Sequence, residues 1–264
     1  AEILNAFKTV DRTLLTANAT IDEKNKAIFK SFDEKLKDPE TAERAAKWKP
    51  KADSAKMFAD QMYAYIEQLK AEIKTSAGGT NGQDFKEDDL EAATRVLIEP
   101  GKKGEEFKNR LQQFKDQLFS IDPEIKTQFQ NTLPIDLNPM KSNNEMSEKN
   151  WAYGYFHMTP AIASITILSK FENDVKNSEA MVVDFCHRKV GEVIVVYDAF
   201  QAFAGTNSQY LMPGQELTIT AGIGAFNSAA KPTVTIDGAN VPLTDSGVAV
   251  YKTAVSGSGS KMVH

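Results

Sequence analysis

The residues able to do chemistry are few. Three histidines are present, His157, His187 and His264, together with a single cysteine, Cys186. None has a second His or Cys at metal-ligand spacing except the adjacent pair Cys186-His187, whose side chains diverge, so a structural zinc site is not expected. His157, in FHMTP, could serve as a buried proton switch; a hydrogen-bonded core histidine is the simpler reading. No G-x-S-x-G elbow and no cysteine-protease context appears, and Cys186, at the end of a long helical pattern, reads as a small packed thiol. There is no G-x-G-x-x-G and no phosphate loop; GTNGQ and GIGAF read as glycine turns.

Two clusters remain. DFKEDDLE, Asp84 to Glu91, is acidic, but its spacing fails the D-x-[DN]-x-[DN]-G calcium pattern, and acids at a helix start are explained by capping and the helix dipole. The aromatics Trp151, Tyr153, Tyr155 and Phe156 could line a pocket, although bundle core or subunit interface is the preferred assignment. With no catalytic constellation and no cofactor or metal motif, the sequence does not read as an enzyme.

The totals narrow the class further. The chain has 264 residues, 41% hydrophobic and 25% charged, enough for one large or two ordinary domains with a real core. A net charge of -5 argues against nucleic acid as the main partner, and no polybasic patch offers itself to an anionic membrane. One cysteine excludes an intrachain disulfide and fits either the cytosol or the periplasm. AEILNAFKTV lacks a signal-peptide profile. The chain opens without Met and stops at KMVH after a strand-like run, so it is expected to be a piece of a longer protein.

The elements that must position these residues are mostly helical. Apolar residues at Ile3, Phe7, Val10, Leu14, Ala17, Ile21, Ile28 and Phe32 alternate steps of four and three, a heptad rhythm in which Asn25 is a polar member. This helix should end before Asp38-Pro39. A second helix is expected to be interrupted by Pro50 and to resume through Phe58, Met62, Tyr65, Ile66, Leu69 and Ile73, followed by the connector SAGGTNGQ. Further helical patterns carry Leu90 to Ile98 and Phe107 to Phe119, and Asp122-Pro123 opens a short turn or two. Leu133 to Asn150 reads as a long irregular loop.

NWAYGYFHMTPAIASITILSK, Asn150 to Lys170, is uncharged up to its last residue and long enough to raise the question of a membrane span. Pro160 divides it, as the expected first residue of a helix capped by Thr159, and Gly154, His157, Ser164 and Thr166 make a poor lipid-facing surface. It is read as an aromatic entry segment followed by a buried helix that continues to about Phe185. After about Lys189, EVIVVYDAFQAF, ELTITAGIGAF, PTVTIDGANVPL and GVAVYKTAV alternate like strands, with a hairpin turn at Asp237-Gly238. The expected architecture is therefore α then β: a long helical bundle over residues 1–188 and a small Ig-like β-sandwich over residues 189–264, incomplete at its end.

Several of these runs have a family likeness. YFHMTPAIASITILSKFENDVKNSEA, Tyr155 to Ala180, resembles the signature of the GldM/PorM gliding-motility and type IX secretion proteins. TNSQYLMPGQEL resembles the turn at the head of that family's first β domain, DGANVPLTDSGVAVYKTAVSGSG is similar to the hairpin and strand that follow, and AEILNAFKTVDRTLL to the segment after its membrane helix. The resemblance implies a periplasmic helical domain, anchored by an upstream inner-membrane helix and followed by several β domains, working as a homodimer with exchanged elements. It also implies a proton-driven motor formed with GldL/PorL, contact with the GldK/GldN (PorK/PorN) ring through distal domains, no cofactor, and no catalytic residue within this stretch.

The residues support that expectation independently, because long heptad helices suit force transmission better than catalysis. Phe7, Val10, Leu14 and Ile21 are expected to pack within the bundle or across a dimer, with Phe156, His157, Met158 and Pro160 as further structural or interface candidates. The competing readings are a periplasmic ligand-binding sensor with its pocket under Trp151 to Met158 and, more remotely, a hydrolase.

Overall fold

The computed structural model describes residues 2–80, 84–99, 101, 103–139, 145–146, 150–191, 199–206, 219–226, 234–236, 238–242 and 249. The chain divides into two compact units, Ala1–Glu192 and Val193–His264.

In the first unit, α1 spans Glu2–Lys35, with an acid in its first turn and Lys35 in its last, the charge order that the helix dipole favours. At about 1.5 Å per residue it is on the order of 50 Å long. It ends before Pro39, and Asp38 organises the turn: its carbonyl accepts from Ala42 N at 2.8 Å and its Oδ1 from Glu40 N at 3.0 Å.

The next helix, α2, covers Ala42–Ser76 without a break, so Pro50 does not interrupt it. An interior proline removes one bond to the carbonyl four residues back. Here that carbonyl belongs to Ala46, and both Ala46 and Pro50 are exposed, so the freed acceptor lies on the solvent side. Trp48, Ala52 and Ala55, buried on the other face, hold both halves to the core. α2 stops where Gly78 adopts φ +84. Gly79 N then donates to Lys74 O at 2.9 Å and Gly78 N to Thr75 O at 3.0 Å, the paired bonds of a Schellman cap.

The helical pattern expected around Leu90 to Ile98 is shorter in the fold, with a single π-turn at Thr94–Ile98. Asp89 caps the turns before it, its Oδ1 accepting from Glu91 N and Ala92 N. Then come α3, Gly104–Ile121, with Phe107, Leu111, Phe114 and Leu118 on its buried face, and α4, Pro123–Phe129, capped by the Asp122 side chain. Gly104 is needed where it stands: a Cβ there would lie 2.5 Å from both the Ala152 Cβ and the Leu97 carbonyl oxygen. A short α5, Trp151–Phe156, is capped by Asn150, whose side chain accepts from Tyr153 N at 2.9 Å.

The last helix, α6, Ala161–Gly191, is buried along most of its length. Its start differs from the expected Thr159 cap. The Thr159 hydroxyl donates backward to Tyr155 O, and Pro160 supplies the carbonyl that accepts from Ser164 N, one position later than anticipated. The free N–H groups of the first turn are satisfied instead by the acidic segment: Ala161 N donates to Asp89 O at 2.9 Å and Ile162 N to Glu87 O at 3.1 Å. α6 is the centre of the unit, packing against α2 on one side and α1 on the other. No helix among the described residues is long and apolar enough to cross a membrane.

The second unit contains, among its described residues, two antiparallel pairs. β1, Ala199–Thr206, pairs with β2, Ile219–Phe226, from Ala199↔Phe226 to Thr206↔Ile219. β3, Val234–Ile236, pairs with β4, Ala239–Val241, and the register Ile236↔Ala239 leaves two residues for the turn, with Gly238 at φ +78 as a tight hairpin requires. The strand expected at GVAVYKTAV lies outside the described residues apart from Ala249.

Candidate functional site

The concentration of buried polar groups lies along α6, where it faces α1 and α2. Bonds to α1 climb the two helices in the same direction. Thr166 Oγ1 donates to Phe7 O at 3.2 Å, Ser169 Oγ to Asp11 Oδ1 at 2.5 Å and Asn173 Nδ2 to Asn18 Oδ1 at 2.9 Å. Lys176 Nζ donates to Asp22 Oδ1 at 2.8 Å, Asn25 Nδ2 to Glu179 Oε1 at 3.2 Å, and Ser31 Oγ lies 2.8 Å from His187 Nε2. α1 and α6 are thus parallel. α2 runs the other way, since Lys70 meets Glu172 while Arg44 Nε donates to Val190 O.

The sequence explains why α1 docks in this register. Asp11, Asn18, Asn25 and Phe32 are spaced by sevens, and so are Phe7, Leu14, Ile21 and Ile28. One seam position is polar in three successive heptads and the other is apolar. Asn18, Asn25 and Phe32 are the fully buried residues of α1, while Ile3 is 73% exposed and Val10 49% exposed. The neutral hydrogen bonds among these contribute only about 1 kcal/mol each net, so their chief effect is to fix the register of α1 on α6.

On the α2 side, Lys70 Nζ bridges Glu172 Oε2 at 3.0 Å and Glu67 Oε1 at 2.7 Å. Glu172 is wholly buried, and burial, helped by its hydrogen bond with the Glu67 carboxyl, pushes it up to about 8 against the pull of Lys70. The same contact, with Lys70, holds Glu67 below its usual range although burial works against it. Glu172 is therefore protonated near neutral pH. Two turns further along, burial pushes Glu179 up to about 7, with Asp60 and Asp22 adding repulsion against Lys176 and Lys56. A cleft of about 400 Å³ opens there, lined by Asp22, Asn25, Lys56, Asp60, Lys176 and Glu179 among others.

The aromatic cluster forms the core beside this stripe. Trp151, Phe107 and Phe171 meet pairwise at ring-centroid distances of 5.4 to 5.6 Å, with Phe156 6.5 Å from both Trp151 and Phe107. Each buried ring contributes roughly 2–3 kcal/mol by leaving water. Trp151 and Phe156 are thus bundle core. His157 is half-buried and stacks on Tyr153 at 4.0 Å, Met158 is 47% exposed at φ +51 with its N–H donating to Thr94 Oγ1, and Pro160 is half-buried. Phe7, Leu14 and Ile21 are half-buried along α1. Cys186 is buried, and its thiol is pushed up to about 12 chiefly by that burial. Burial, then the Lys35 charge, lowers His187. Among the described residues no group of three or more His, Cys, Asp or Glu could hold a metal ion.

Sequence reasoning singled out Asn25 but missed Glu172, Glu179 and Lys70. The available signal was the heptad recurrence of polar residues at Asp11, Asn18 and Asn25, which marks a polar partner face on another helix.

The fold is thus one of parallel and antiparallel long helices joined by buried polar pairs, followed by a β-containing unit. The GldM N-terminal domain family matches residues 2–187 and the GldM second domain family matches residues 191–264. The chain belongs to the GldM family, a structural component of the gliding-motility and type IX secretion motor that is anchored in the membrane and lies in the periplasm. No curated protein matches the chain.

Proposed function

We propose that this chain is part of a dimeric periplasmic shaft that carries force from an inner-membrane motor toward an outer-membrane ring. The helical unit, residues 1–188, supplies stiffness, and residues 189–264 form the first β domain, a sandwich of the Ig-like kind. Within the longer protein implied by the family, an upstream membrane helix pairs with GldL/PorL and distal domains meet the GldK/GldN (PorK/PorN) ring. The observation that carries this reading is α6, an unbroken 31-residue helix flanked by α1 and α2 of 34 and 35 residues. Its bonds to α1 are spread from Thr166 to His187, so a load applied to α1 is shared along the whole interface instead of at one joint.

The dimer contact is placed on the outer face of α1, where Ile3 and Val10 are exposed and Phe7, Leu14 and Ile21 are half-covered. A second copy would bury this apolar edge. Sedimentation velocity of the 264-residue chain should show a concentration-dependent monomer–dimer equilibrium, and Val10→Glu should shift it toward monomer by about tenfold or more in Kd, since a charge replaces buried apolar surface. A monomer at every concentration overturns the dimer.

A further inference from the structure

We propose that Glu179 and Asn25 form a proton-binding latch between α6 and α1: a neutral Glu179 closes the contact, and its ionisation loosens α1. The geometry carries the first half. Asn25 Nδ2 donates to Glu179 Oε1 at 3.2 Å. The remaining atoms of the same two groups, Asn25 Oδ1 and Glu179 Oε2, are both fully buried and have no hydrogen-bond partner. An amide oxygen only accepts, and an ionised carboxylate only accepts, so in that state both buried atoms lack a donor. Leaving such groups unpaired costs about 1–3 kcal/mol each in general. A proton on Glu179 Oε2 supplies the missing donor.

Charge around the site points the same way. From α1 it is faced by Asp22, Glu23 and Lys26, from α2 by Lys56 and Asp60, and from α6 by Lys176. Each lysine has a closer carboxylate: Lys26 with Glu23 at 2.6 Å, Lys56 with Asp60 at 2.5 Å and Lys176 with Asp22 at 2.8 Å. Lys176 Nζ is 3.9 Å from Glu179 Oε2, beyond hydrogen-bond reach. Three lysines therefore serve three carboxylates, and Glu179 is the surplus acid, only 2% exposed.

Because burial raises this carboxyl to about 7 while α1 is docked, against 4.5 for an exposed one, the docked form binds the extra proton. The latch is fully engaged below about 4.5, weakens as the pH rises to about 7, and is flat above that. α1 is the helix that responds, since Phe32 is its one fully buried apolar residue among those described.

Hydrogen exchange of the 264-residue chain, corrected for the intrinsic exchange rate, tests this at pH 5 and pH 8. Wild-type amides over residues 14–32 should lose protection on the order of tenfold or more between the two. Glu179→Gln keeps the shape and carries a permanent N–H donor, so it should hold its pH 5 protection at pH 8. Glu172 faces α2, is unchanged in both proteins, and cancels in the comparison. A Glu179→Gln variant that loses protection as the wild type does, or is less protected at pH 8, overturns the latch. Carboxyl carbon NMR of wild-type Glu179 decides independently of any variant: a midpoint near 7 supports it, and one below 5 sinks it.

Discussion

Glu172 and Lys70 show how much of this fold turns on single protonation states. Glu172 is held at about 8 with burial as the leading cause, so near pH 6 it is neutral and its partnership with Lys70 is a hydrogen bond. Above that value it is ionised and Lys70 is its counter-ion, so the two halves of the pair depend on pH differently. Lys70→Met should cost about 1 kcal/mol at pH 6 and about 3 kcal/mol at pH 9, because the second condition leaves a buried carboxylate without its cation. Urea denaturation at the two pH values measures the difference; equal costs would mean that the carboxyl does not titrate in this range. Composition hides this residue entirely, since a glutamate in KFENDVKNSEA looks like any solvated helix position until α2 and α1 close over it.

Single elements were legible to different depths. The α1 heptads, the Asp122-Pro123 start of α4 and the burial of α6 follow from periodicity and capping rules, because those signals are local. Pro50 was misread for the same reason: a breaker read locally takes no account of Trp48 and Ala55 anchoring the helix on either side. Proline still removes one helical bond, so Pro50→Ala should stabilise the protein by about 1–2 kcal/mol, somewhat less than the roughly 3 kcal/mol intrinsic difference, because alanine also loosens the unfolded chain. A rise in the urea midpoint reads this directly, and no rise would mean that α2 does not bear the cost. The Thr159 cap failed as an expectation because the carbonyls that serve the start of α6 belong to Glu87 and Asp89, some seventy residues earlier in the chain.

For the whole molecule, the hydrophobic core extends from Phe32 to Val190 within the first unit. A chain ending at Gly191 should therefore fold by itself, with a cooperative helical melting transition within about 3 °C of the full-length value. Circular dichroism checks it, and a non-cooperative melt would show that the first unit needs the rest of the chain.

The sequence by itself determined the class of this protein: long amphipathic helices, then strands, with the GldM signature at Tyr155 to Ala180. Helical periodicity, turn residues and family motifs are properties of neighbours along the chain, so they survive without coordinates. Only the tertiary structure decided which polar residues are buried. Glu172, Glu179, Lys70 and Asn18 acquire their roles from groups on other helices, across sequence separations of about a hundred residues or more. Desolvation and charge pairing depend on distance in space, and nothing in the local pattern records it.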